Sequence, residues 1–244
     1  MVSPAIGRRV IHAECCINAA GGPRAREADV PLLIHGPAAR ALAAWHSAGT
    51  LRTAVGLDIA QDRERHSVES AHRSLALLAD LPRTVPVTVG LALDAGWPHA
   101  LDLILARGRS VRFAVCGMDA PDSPAIVDAI RAATTLRCTF AWSCGLWQAV
   151  TDPWAGPLPG ILNVLLATAA ALDGAGAAEI GGELGRTDQV DVVDAVRELD
   201  EATARRIRAL LGGFAVWNVA AVVDALSGLE LLPKAHQEPR ELPV

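Results

Sequence analysis

Lysine is nearly absent from this chain, and Lys234 is the single lysine among its 22 basic residues. The formal net charge is −5, and the densest basic run, residues 62–66, carries its own acids. A nucleic-acid partner or an anionic membrane surface requires a basic stripe or patch. The sequence therefore argues against both kinds of partner and favours a small-molecule ligand.

Long apolar runs are missing as well. The longest, residues 161–172, is interrupted by Asn163 and Thr168, and it is far shorter than the ~20 residues that span a bilayer. The residues before the first strand form no signal-peptide pattern. The cysteines are few and irregularly spaced, which suits the reduced thiols of the cytosol. We therefore expect a cytoplasmic protein without a membrane-spanning segment.

No glycine-rich phosphate fingerprint follows any predicted strand, and residues 90–96 are only a weak echo of one. Tyrosine is absent, and there are 3 Phe and 6 Trp. Without a nucleotide or flavin signature, lyase or isomerase chemistry is favoured over redox chemistry, and no cofactor is predicted.

Short apolar strands alternate with Ala- and Leu-rich helices along most of the chain. Strands are predicted at residues 9–17, 52–59, 86–93, 111–116, 137–143 and 214–218. Helices are predicted at residues 35–48, 67–79, 97–108, 124–134, 160–173, 200–211 and 219–227. The first helix is expected to open at His35-Gly36-Pro37, because proline suits a first turn. Residues 189–197 fit a strand or a helix, and the Gly- and Ala-rich stretch 174–186 carries no clear element.

Alternation of strand and helix implies right-handed crossovers and a mainly parallel sheet. The six or seven expected strands are too few for a regular eight-stranded barrel. We therefore predict an α/β fold with an incomplete or distorted TIM-like barrel, and an open doubly wound sheet is the alternative. The 244 residues fit one domain over residues 1–233, followed by a disordered tail at 234–244.

Three segments, Val111–Gly117, Arg137–Cys144 and Gly160–Ala167, resemble a group of uncharacterised bacterial proteins with an (α/β)-barrel-like pattern. The ending, residues 210–233, is similar to that group as well. The resemblance implies the barrel-like fold and a bacterial protein of unknown function, and it supplies no reaction.

The chain departs from that group where the group carries charge. Its fourth strand has Lys and Arg in alternation, and its fifth has a Lys and ends in paired His. Here only Arg112 keeps a cation, while Ala114, Cys138 and Cys144 stand at the other positions. The resemblance thus implies a lumen that has lost most of its positive charge.

Chemically active side chains occur where predicted strands end, and side chains alternate faces along a strand. Alternation groups His12, Glu14 and Cys16; Arg112, Ala114 and Cys116; and Cys138, Phe140, Trp142 and Cys144. If these faces point into a barrel, they form an upper layer with Arg112 below, and the layer contains His12, Glu14, Cys16, Cys116 and Cys144. The carboxyl ends of parallel strands are where such folds bind ligands.

The candidate catalytic residues are Glu14 and His12 as acid and base, with Cys116 and Cys144 as thiolate nucleophile or pocket wall. Arg112 is expected to pair with Glu14 or to hold an anionic group. Packing is the alternative for the thiols, since free cysteine behaves as a small hydrophobe. A zinc site is a weaker alternative, because no pair has chelate spacing.

The candidate substrate-binding residues are Arg112, Asp58, Trp142, Ser143, Asn163 and Trp217. Asp58 is favoured because it lies within an apolar run at a strand end. The other acids of the rim, Asp62, Asp94 and Asp119, are expected to be helix caps or solvated. The Trp-rich loop 142–154 is expected either to close over a ligand or to form a homodimer contact.

These expectations combine into a small-molecule enzyme of lyase or isomerase type that acts on a small anionic metabolite at the carboxyl ends of the strands. The alternative is a catalytically silent relative that binds a ligand or a partner subunit.

Overall fold

The computed structural model describes residues 9–12, 32–47, 54–62, 65–115, 123–143, 148–154, 156, 158–216 and 219–232. The strands in these ranges are β1 (Arg9–His12), β2 (Leu32–Gly36), β3 (Ala54–Ile59), β4 (Val87–Ala92), β5 (Ser110–Ala114), β6 (Phe140–Ser143) and β7 (Leu211–Ala215). The helices are α1 (Ala38–Ser47), α2 (Ser67–Leu77), α3 (Trp97–Ala106), α4 (Ser123–Thr135), α5 (Ile161–Leu172), α6 (Ala177–Gly185), α7 (Gln189–Glu198), α8 (Glu201–Leu210) and α9 (Val219–Gly228).

The strands follow one another in the sheet in chain order, from β1 to β7. The pairs from β1 to β5 are all parallel. A doubly wound sheet reverses its strand order at a switch point, and the described strands show no such reversal. The predicted α/β fold with a distorted, incomplete barrel is confirmed.

The chain divides into two compact units, residues 1–114 with 138–140, and residues 115–137 with 141–244. The first unit contains β1 to β5 and the helices α1 to α3, and the second contains α4 to α9. A single domain over residues 1–233 stays a prediction. The expected tail at 234–244 lies outside the described residues.

The core of the first unit lies between the strands and the helices α1, α2 and α3, which pack on β2 to β5. Every second strand residue is apolar and buried on this side, as Leu57, Val89 and Phe113 show. Trp97, the first residue of α3, meets Phe113 edge to face with 6.1 Å between the ring centroids. Because side chains alternate, the residues between these apolar ones face the other side of the sheet.

The second unit is built around α5, a helix of 12 residues of which eight are buried. Leu162 and Leu166 of α5 pack with Val192 and Val193 of α7 and with Ala149. This apolar cluster fixes the loop that precedes α5 against α7.

One strand was not predicted from the sequence. β2 covers Leu32–Gly36, where no strand is predicted, and His35 and Gly36 end this strand instead of opening a helix. The helix begins at Ala38, directly after Pro37. A run of three apolar residues before a histidine is too short for its period to distinguish strand from helix.

Three further elements differ from the expectations. The ambiguous stretch 189–197 is helical. The Gly- and Ala-rich stretch contains α6. Four of the first six residues of α6, from Ala177 to Gly182, are glycine or alanine, so the sequence shows no clear helical period of apolar residues there. β7 begins at Leu211, directly after α8, whereas the predicted strand begins at Phe214. No helix in the described ranges is both long and apolar enough to cross a bilayer.

Gly90 of β4 offers a test of the fold. A Cβ there would lie 2.8 Å from the backbone nitrogen of Gln61 and 2.9 Å from the carbonyl oxygen of Ile59. Gly90→Ala is therefore expected to destabilise the protein by about 2 kcal/mol, since the chain after β3 must move away. Urea unfolding measures this loss.

The matched control is Gly182→Ala in α6, where an added Cβ meets nothing within 4 Å. Alanine is the better helix former, so this variant should gain up to about 1 kcal/mol. A Gly90→Ala protein as stable as the parent would contradict the close approach of the two segments.

Candidate functional site

A row of polar residues crosses the first four strands at one level. The register pairs His12 with His35, His35 with Asp58, and Asp58 with Thr88. In β1, β2 and β3 the row lies at or next to the last residue of the strand. We call these four residues the polar row.

Asp58 is the centre of the row and is 5% exposed. Its Oδ2 lies 2.9 Å from His35 Nδ1, and its Oδ1 accepts a hydrogen bond from Arg112 Nε at 2.9 Å. Each carboxylate oxygen therefore has its own partner on a different strand. Such charge-assisted bonds are the stronger kind of hydrogen bond.

Arg112 reaches Asp58 across β4. In the ladder Arg112 stands beside Gly90, while Asp58 stands beside Thr88, two residues earlier on β4. Adjacent strands lie about 4.8 Å apart, so the two charged side chains bridge roughly twice that distance. Glycine at position 90, beside the arginine, lets the backbone of residues 59–61 pass close to β4.

The electrostatics favour a charged Asp58. Burial by itself raises the pKa of this carboxyl, but the hydrogen bond from His35 and the positive charge of Arg112 outweigh it. The net result is a pKa below the ordinary value of 3.8. Because Asp58 stays ionised and accepts hydrogen bonds, the proton of the shared bond resides on His35 Nδ1.

His35 is the accessible member of the group. Its side chain is 24% exposed, whereas those of Asp58 and Arg112 are each 7% exposed. A carboxylate that orients an imidazole through Nδ1 directs proton exchange to Nε2, as in general acid–base catalysis. The same arrangement also supports histidine as a metal ligand. Among the described residues, however, no three His, Cys, Asp or Glu side chains are grouped to hold a metal ion.

Two of the predicted site residues, Asp58 and Arg112, are thus in direct contact. The structure pairs the Arg112 guanidinium with the Asp58 carboxylate. Glu14, the partner predicted from the sequence, lies outside the described residues. So do Cys116, Cys144 and Trp217.

The backbone register between β1 and β2 places His12 in the sheet. It stands opposite His35. Arg112 is two residue pairs further toward the carboxyl end than the polar row. We expected Arg112 to lie below His12, but Arg112 is the one nearer to the carboxyl ends of the strands.

The predicted alignment of β5 and β6 is also wrong. Phe140 contacts Phe113, with ring centroids 6.0 Å apart, so it lies on the helix side of the sheet and not on the side of Arg112. Alternation along β6 gives Trp142 the face of Phe140 and Ser143 the other face. Both Trp142 and Ser143 are buried.

Asn163, another predicted ligand-binding residue, is fully buried in α5 and is bonded to backbone. Its Oδ1 accepts from Thr151 N at 2.8 Å, and its Nδ2 donates to the carbonyls of Glu183 and Arg186, each at 2.8 Å. The amide therefore ties the loop before α5 to the end of α6. This is a structural role.

Two other sequence candidates have structural surroundings. Asp94 accepts hydrogen bonds from the backbone nitrogens of Ser67 and Gly96 and from the Ser67 hydroxyl, which makes it a cap for the start of α2 as predicted. Cys138 is buried, and burial raises the pKa of its thiol. A raised pKa leaves little thiolate, so Cys138 suits packing and not nucleophilic attack.

His35 is the functional candidate that the sequence analysis missed. The signal was present in Leu32-Leu33-Ile34-His35-Gly36, where a histidine ends an apolar run before Gly-Pro. The same signal at the end of β3 led the sequence analysis to Asp58.

Asp58→Asn tests the charged network. Because the folded-state pKa of Asp58 is lowered, its charge stabilises the fold fully above the unfolded pKa and less as pH falls through the folded value. We expect Asp58→Asn to lose about 3 kcal/mol near neutral pH, since Arg112 keeps a buried charge without its counterion. Below about pH 4 the difference from the parent should shrink.

Denaturant unfolding across this pH range provides the measurement. Asp128→Asn is the control, because the Asp128 side chain is 59% exposed and its removal should cost about 0.5 kcal/mol or less. A difference between the parent and Asp58→Asn that stays constant down to strong acid would refute the charged Asp58.

Asn163→Ala tests the structural role of that amide. It leaves three backbone groups without their side-chain partner, so a loss of about 3 kcal/mol is expected. Thr168→Ala on the same helix removes one bond to the Val164 carbonyl and should cost about 1 kcal/mol. Equal losses in the two variants would speak against the tie between the loop and α6.

Comparison with known proteins adds no class of activity. No protein-family model matches the chain, and no curated protein matches it either.

Proposed function

We propose that the protein is a small-molecule enzyme of lyase or isomerase type in which His35 is the general acid and base. The observation that carries this proposal is the 2.9 Å contact between His35 Nδ1 and a buried Asp58. This contact lies at the carboxyl ends of two adjacent parallel strands, the edge at which α/β folds bind their ligands.

The proposed chemistry is a proton transfer at carbon. Asp58 holds the proton on Nδ1, so Nε2 takes a proton from a carbon next to a carboxylate or carbonyl group of the substrate. The imidazolium that forms is stabilised by the Asp58 carboxylate. Return of the proton to another atom completes an isomerisation, and its delivery to a departing hydroxyl or amine completes an elimination.

Charge and size support a small anionic substrate. Arg112 and Asp58 cancel, so proton uptake by His35 creates one net positive charge beside a developing enolate. Ala92 and Ala114 stand opposite each other in the ladder, one residue pair beyond Arg112 on that side, and both are partly exposed. Both positions carry only a methyl side chain, in keeping with the compact metabolite that we propose as substrate.

The proposal extends to a homodimer in the cytoplasm, as expected from the sequence. Membership in the uncharacterised bacterial group that the sequence resembles stays a prediction. The alternative is a silent relative that binds its ligand without turnover. It is favoured by the positions at which the resembled group carries cations, since Ala114 and Cys138 stand there in this chain.

Deuterium exchange tests the proposed function without a known substrate. The protein is incubated in D₂O with pools of small carboxylate and phosphate metabolites, and proton NMR follows the loss of C–H signals. We expect at least one compound to exchange, and His35→Gln to slow that exchange by about 100-fold or more, the usual contribution of a general acid or base.

His72→Gln is the control, because His72 is exposed on α2 and outside the polar row. It should exchange like the parent. Exchange unchanged in His35→Gln would overturn the proposal. Binding of a compound without any exchange would support the silent relative.

A further inference from the structure

Two arginines of similar burial lie three residues apart in and before β5. Arg109 and Arg112 are each 6% exposed. Arg109 donates to the carbonyls of Val85 and Leu81, both at 2.9 Å, and so ties the segment before β4 to β5. Arg112 donates to Asp58, a side chain that in turn contacts His35.

We propose that Arg112 is a positioning residue that acts on His35 through Asp58 and does not hold the substrate. The proposal rests on the acid–base role of His35 given above. It assigns to Arg112 a function different from the anion binding that its charge suggested.

The geometry explains why a carboxylate needs this help. The terminal torsion of an aspartate is broad and roughly two-fold, so one hydrogen bond to His35 leaves the carboxylate plane free to turn. The bond from Arg112 Nε to Oδ1 fixes that plane, and Oδ2 is then held toward Nδ1. The guanidinium also supplies the charge that keeps a buried carboxylate ionised.

Ionisable groups of two neighbouring strands stand beside His35. Asp58 faces it from β3, and His12 stands opposite it in the β1 register. On β4 the row continues with Thr88, which carries no charge. The positive charge of Arg112 is therefore the counterion of Asp58 within this group.

The test reads the tautomer of His35 directly. The full-length protein is labelled with ¹⁵N-histidine, and the His35 ring signals are identified among those of the 7 histidines by their loss in His35→Gln. We expect the parent to hold the Nδ1–H tautomer alone. Arg112→Gln should show a mixture that shifts toward Nε2–H, because the Asp58 carboxylate is no longer fixed and charged.

Two matched variants separate positioning from packing. Arg109→Gln removes a guanidinium of equal burial and should leave the His35 signals as in the parent. Arg112→Lys keeps the positive charge but replaces the planar guanidinium with a flexible ammonium group. It should therefore give a smaller tautomer shift than Arg112→Gln. If Arg112→Gln does not fold, Arg112→Lys against Arg109→Lys gives the same comparison.

The proposal is overturned if the parent tautomer persists in both Arg112 variants, or if the Arg109 variant shifts the His35 signals equally. Where deuterium exchange is found, Arg112→Gln should also lose about 100-fold in rate, as expected for a misplaced catalytic group. If neither the parent nor any variant exchanges a proton with any compound, the proposed function fails. The tautomer measurement still tests whether Arg112 positions His35.

Discussion

The buried carboxylate of Asp58 is the constraint on which the rest of this site depends. A charge taken out of water costs several kcal/mol unless partners replace the lost solvation. Here the partners are one guanidinium and one imidazole, each at 2.9 Å. Buried ion pairs are seldom a net gain in stability over apolar residues of similar volume. Stability alone therefore does not explain why an ion pair is buried at this strand end.

The sheet makes this contact between residues that are distant in the chain. His35 and Asp58 are 23 residues apart, and Asp58 and Arg112 are 54 apart. Parallel strands joined in chain order return each strand end to the same edge. Register then decides which residues share a level, and the glycine at position 90 lets the chain after β3 pass close to β4. The contact is thus a consequence of strand order and register.

Much of this architecture could be predicted from the sequence. The strands near residues 54, 87 and 110 and the helices after them were visible as apolar runs and Ala- and Leu-rich stretches. Asp58 stood out because a carboxylate at the end of an apolar run needs a reason to be there. β2 was missed because its apolar run is very short. Without that strand, the sequence analysis did not recognise His35 as a candidate site residue.

The pairing of strand faces could not be predicted at all. Alternation tells which residues of one strand share a face, but it does not tell which face of the next strand matches it. Phe140 shows the consequence, since it packs on Phe113 and takes Trp142 to the same face of β6. The partner of Arg112 could not be predicted for the same reason. Only the register of β3, β4 and β5 shows that Asp58 lies within its reach.

The buried polar residues of this protein also show how a site differs from a structural tie. Asn163 and Arg109 are as buried as Asp58, but all their bonds recorded here go to backbone groups. Backbone groups do not titrate, so such bonds fix the chain and can pass no proton. Asp58 instead joins two ionisable side chains, one of which reaches solvent. That difference in partner, and not burial alone, is the reason why we propose the strand ends of β2 and β3 as the site of chemistry.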